Sequence, residues 1–108
     1  MDNVHELHEA ATELINRATL CIQPSESRIL LIQAFELKRE AALALADSIN
    51  AAMLRSKLFY EAIKLAILLD EFNDAKELIK IAQNGTIHEE YLDLINNQVE
   101  ILSVMNKI

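Results

Sequence analysis

A chain of 108 residues with a formal charge of −7 has no concentrated basic face with which to displace phosphate counterions, which excludes nucleic acid and disfavours an anionic membrane surface. Its 52% hydrophobic content with one Gly and one Pro describes an all-α protein of long helices and few loops, one domain over residues 1–108, and excludes a turn-rich all-β fold. No apolar run approaches a membrane span, Met1-Asp2-Asn3 is polar where a signal peptide would be basic and then apolar, and the single Cys21 suits a reducing cytoplasm.

From Asp2 to about Leu20, Val4, Leu7, Ala11, Leu14, Ile15 and Ala18 recur at helical spacing, with Glu6, Glu9 and Glu13 on the other face. Pro24 ends this helix, because it restricts Gln23 and cannot continue the hydrogen-bond ladder. Ser25 or Ser27 is expected to cap a second helix running to about Ala46. Its opening, Ile29-Leu30-Leu31-Ile32, is apolar on all sides, and Ala34, Phe35, Leu37, Ala41, Ala42 and Leu45 extend the burial. That circumference makes the second helix the expected centre of packing, with Glu36, Lys38, Arg39 and Glu40 interrupting one face. Asp47 to Asn50 reads as the connection to a third helix, which begins within a turn of Ala51.

In the third helix Leu58, Ala62, Leu65, Ala66 and Leu69 form an apolar stripe, and Phe72, Ala75, Leu78, Ile79 and Ala82 repeat the pattern in a fourth. The break from Asp70 to Asp74 offers side-chain oxygens as caps and is short enough to fold the two helices back on each other. Ala62, Ala66 and Ala75 are small residues that let this hairpin close tightly, and Phe72 is expected under its turn. Asn84-Gly85 then reads as a C-cap with glycine in the left-handed conformation, and Thr86-Ile87-His88-Glu89 as a capping box. A fifth helix carries Tyr91, Leu92, Leu94, Ile95, Val99, Ile101 and Leu102, its apolar face persisting to Met105, and is expected to cover the end of the stack.

The segment Glu71-Phe72-Asn73-Asp74-Ala75, followed by Ile79 and Ala82, resembles the second-helix half of a tetratricopeptide repeat, with Asp70 where glycine is usual and no closing proline. Arg55-Ser56-x-Leu58-Phe59-x-x-Ala62-x-x-Leu65-Ala66, running into Glu71-Phe72-x-x-Ala75-x-x-Leu78-Ile79, is similar to a family of small bacterial proteins with tetratricopeptide-like helices and no assigned activity. The resemblance implies hairpins stacked as a short solenoid, or closed as a bundle, and a bacterial cytoplasmic setting. It supplies no catalytic residues.

Few residues suggest chemistry. His5 and His8 are three apart, where the zincin motif needs a spacing of four and a third ligand, so a solvated helix end is expected and no metal or cofactor. Cys21 between Leu20 and Ile22 reads as a small packed hydrophobe without a basic neighbour, and Asp70, Glu71 and Asp74 as turn residues without a calcium loop's glycine. Arg55, Lys57, Tyr60 and Lys64 form the one local excess of positive charge, and Lys57, Tyr60 and Lys64 share a helix face. In tetratricopeptide-like stacks that face lines the groove. The resemblance thus implies partner binding through Lys57, Tyr60 and Lys64, toward a protein or peptide whose acidic or C-terminal carboxylate meets the lysines. Surface pairing of these residues with acids of other helices is the plainer alternative. At the level of function the expectation is a non-enzymatic adaptor; its rival is a structural or regulatory homodimer that buries the apolar excess without a separate ligand.

Overall fold

The computed structural model describes residues 2–107; Met1, which opens the polar N-terminal segment, and Ile108 lie outside the described residues. Five helices follow one another: α1 (Asp2–Leu20), α2 (Pro24–Ala44), α3 (Ala52–Leu68), α4 (Phe72–Gln83) and α5 (Glu89–Val104). Each packs on the next, and α3 packs on α5 as well as on α2 and α4. The stack measures 39 × 38 × 20 Å, so it is a slab whose thin direction is about two helix diameters. Among the described residues no helix is long and apolar enough to cross a membrane.

The centre of packing is α3, not α2. Leu58, Phe59, Ala62, Ile63, Leu65 and Ala66 are all buried, because α3 has neighbours on several sides. The opening of α2 is one-sided, with Ile29 and Ile32 exposed, since only α1 and α3 flank it; all-round hydrophobicity there marks an uncovered face. Ala62 and Ala75 are both fully buried, as small residues inside the α3–α4 hairpin should be. The stripe of α1 is buried or half-buried throughout, from Val4 to Ala18.

Several helix ends form differently from the sequence expectation. Pro24 opens α2 with Gln23 as N-cap, and the Ser27 hydroxyl instead donates to the Ala18 carbonyl at 3.1 Å, tying the end of α1 to the first turn of α2. No side chain caps α4. The α3–α4 turn is made by the backbone: Asp70 sits at φ 60°, its N–H bonds the Ile67 carbonyl at 3.1 Å, and the Glu71 N–H bonds the Ala66 carbonyl at 2.8 Å. Asp is among the few non-glycine residues that enter this conformation readily, which explains why the turn dispenses with glycine. The same device ends α5, with Asn106 at φ 58° and the Lys107 N–H on the Leu102 carbonyl at 2.8 Å. At the start of α5 the N-cap is His88, whose Nδ1 accepts from the Glu90 N–H at 3.2 Å, so Thr86 and Glu89 form no capping box. Phe72 is half-buried under the turn, with Lys107 Nζ 5.0 Å from its ring centre.

Gly85 is not left-handed. It is small because Arg55 lies against it: a Cβ there would stand 2.7 Å from the Arg55 Cζ. Arg55 is fully buried, 4.8 Å over the Phe59 ring, and its guanidinium donates to the carbonyls of Ala46, Ile81, Ala82 and Thr86. These carbonyls lie at or beyond the C-terminal ends of α2 and α4, at the negative pole of each helix, and those of Ile81 and Ala82 also accept from the Asn84 and Gly85 N–H groups. One cation therefore fastens the α2–α3 connection, the end of α4 and the α4–α5 connection to the start of α3. Burial lowers the Arg55 pKa, with Asp47 opposing, and the fork geometry of arginine suits four carbonyls as a lysine could not.

Candidate binding clefts on either side of α3

A second buried cation holds the first hairpin to the rest. Lys38 of α2 is 1% exposed, and its Nζ donates to Glu61 Oε1 of α3 at 2.9 Å and to His8 Nδ1 of α1 at 2.8 Å. A buried ammonium is tolerated only when it is paired and hydrogen-bonded, and here it has a carboxylate and an imidazole. The His8 bond requires an unprotonated Nδ1, which places the ring proton on Nε2. Burial, then the Lys38 and Lys57 charges, lower the His8 pKa, with Glu61 opposing and His5 adding slightly. His5 is exposed and pairs with Glu9 at 2.9 Å, so the two histidines have separate surroundings. Among the described residues no three His, Cys, Asp or Glu side chains converge as metal ligands.

Between α1 and α3, which share no extensive packing, lies a groove of about 400 Å³. Ile15, Leu31 and Leu65 give it an apolar floor, and Tyr60, Lys64 and Thr19 stand along it. Glu61 also lines this groove, but its carboxylate is neutralised from behind by Lys38. On the other side of α3 a smaller cleft of about 280 Å³ opens toward α5, lined by the same Tyr60 and Lys64 together with Leu94, Asn97, Gln98 and Ile101. Tyr60 and Lys64 thus form a ridge between two clefts. Lys57 is half-buried one turn earlier, outside both linings, and its charge acts on His8. Arg55 is no part of a basic surface at all.

In the α3–α5 cleft Gln98 Nε2 donates to the Tyr60 carbonyl at 2.9 Å. That bond fixes the amide orientation, because only the nitrogen can face a carbonyl, and it leaves Gln98 Oε1 buried without a hydrogen-bond partner. The Tyr60 and Tyr91 rings meet with centroids 5.8 Å apart, and burial, then Glu61 and Glu90, raise the Tyr91 hydroxyl pKa. Beyond this cleft α5 covers the stack only in part. It buries Ile95, Gln98 and Leu102 but exposes Leu94, Ile101, Val104 and Met105.

Cys21 is half-buried and lines a hollow at the α1–α2 turn that Arg17 also lines. Lys38 and Arg55 escaped the sequence reading as structural residues, although both lie on buried stripes: Lys38 three residues before Ala41, and Arg55 three and four before Leu58 and Phe59.

No family model matches the chain, and no curated protein or solved structure matches it.

Proposed function

We propose that the chain is a non-enzymatic protein-binding module whose α1–α3 groove takes a segment of a protein partner. The observation that carries this is the groove itself, with its apolar floor and the Lys64 ammonium beside Tyr60. An amphipathic segment would bury apolar side chains on Ile15, Leu31 and Leu65 and set a carboxylate against Lys64, while Tyr60 offers a rigid ring with a polar end. The tetratricopeptide-like pattern of Phe72, Ala75, Ile79 and Ala82 supports the same reading, since the first helices of such hairpins face a groove. A cytoplasmic setting belongs to the same proposal.

The test is selection from a random peptide library, followed by titration of the selected peptides. Acidic amphipathic sequences should be enriched, and their affinity should fall with salt because partly exposed charges are screened over about 10 Å at 0.1 M. Thr19→Trp, which fills the groove, should abolish binding, and the Lys57→Glu, Lys64→Glu pair should do so with helical circular dichroism unchanged. Undiminished binding by both variants would remove the groove from consideration.

A further inference from the structure

The uncovered face of α5 has a heptad pattern. Leu94, Asn97, Ile101 and Val104 are spaced three, four and three residues apart, all on one exposed strip, with Val104 at 77% and Ile101 at 47% exposure. These are the spacings of the a and d positions in a two-stranded coiled coil. Charges flank the strip on opposite sides. Lys64 and Gln98 lie toward α3, and Glu100 lies on the far flank of the helix. A two-fold axis running along α5 brings two such strips together with the helices parallel, and it lays the Lys64 flank of one copy over the Glu100 flank of the other.

We propose that α5 is a self-association surface at which a second copy of this chain packs its own α5 in parallel register. The face carries both halves of its own complement: symmetry alone supplies a Glu100 for each Lys64, and any other occupant would have to bring an apolar strip and an anion in the same register. Leu94, Ile101 and Val104 meet their equivalents across the axis, between the hollows that Ile101 borders on either side of the strip. Asn97 falls at a d position and meets its equivalent across the axis. The self-association goes beyond the groove reading and uses the opposite side of α3.

The test is sedimentation equilibrium of the full chain. The wild-type protein should be a dimer, and Ile101→Glu should lose the dimer with its circular dichroism intact. Lys64→Glu and Glu100→Lys should each shift the equilibrium toward monomer, and the two together should restore it, which a merely destabilised fold would not do. In a Cys21→Ser background, Asn97→Cys should form an intermolecular disulfide, because parallel register places the two copies of position 97 opposite each other. If Ile101→Glu unfolds, the charge-reversal pair decides the matter. A wild-type monomer, a dimer indifferent to all three substitutions, or failure of the charge swap to restore association would overturn the proposal. Thr19→Trp should leave the dimer unchanged, which separates this result from the fate of the groove.

Discussion

Arg55 and Gly85 are one device made of two residues. The guanidinium gathers carbonyls at the ends of α2 and α4, and the missing side chain at position 85 makes room for it. Gly85→Ala should therefore lower stability by about 1–3 kcal/mol through overpacking, measured by denaturant midpoint. In an Arg55→Met background the same change should cost clearly less, because the two side chains no longer compete for the space. Equal costs in both backgrounds would show that the glycine serves the backbone alone. Lys38 carries a different signature. Burial first, and then Lys38, from which it accepts only while neutral, hold the folded-state His8 pKa below the ordinary 6.5. The unfolded chain then takes up the His8 proton first as pH falls. The stability that this group contributes is complete above about pH 6.5 and is lost as pH drops through the folded value. Lys38, Glu61, Lys57 and His5 all act on the ring, and the loss of stability that sets in below pH 6.5 through this group should be the part that His8→Gln removes. A pH profile unaltered by His8→Gln would rule the contact out as the source.

The α3–α4 hairpin depends on small residues where the two helices meet. Ala75 is fully buried, and Ala75→Leu should cost about 1–3 kcal/mol because a packed seam cannot absorb three further carbons without moving a helix. An unchanged denaturant midpoint would show that the seam has slack. All five helices were legible in the sequence, because each carries a periodic stripe long enough to declare itself; the stripes of α1, α3 and α4 are buried or half-buried, whereas Ile29 and Ile32 of α2 and Leu92, Leu94 and Ile101 of α5 are exposed. Helix ends were less legible. Capping residues near Ser25, Asp74 and Thr86 compete with tertiary partners that no local pattern reveals: the Ser27 hydroxyl goes to Ala18, and the Thr86 carbonyl to Arg55. Of the three residues expected at a binding face, Tyr60 and Lys64 stand together in one groove and Lys57 does not line it. Helical spacing fixes which residues share a face of α3, but it says nothing of where α1 and α5 stop covering that face. The buried charges were missed for a related reason, since Lys38 and Arg55 have the spacing of core residues and the chemistry of surface ones.

At the scale of the whole molecule the helices form a slab with α3 at its centre and α1 at one margin, packed on α2 and otherwise joined to α3 through the Lys38 cluster. Because α2 in turn has only α1 and α3 as neighbours, the first hairpin adds little to the burial of α4 and α5. Removing the carboxylate, as in Glu61→Ala, should leave Lys38 buried with an imidazole alone and cost up to about 3 kcal/mol, less than a fully buried pair because Glu61 is partly exposed. Lys38→Met should cost little by comparison, since an apolar side chain fits the same space and Glu61 can reach water. A larger loss for Lys38→Met than for Glu61→Ala would contradict this account of the cluster. The marginal position of α1 also bears on opening motions. Amide hydrogens of α1 should exchange with solvent through a partial opening well below the global unfolding free energy, whereas those of α3 should wait for complete unfolding. A ligand held between α1 and α3 would then report itself without any change of shape, by slowing exchange along a helix that nothing else closes.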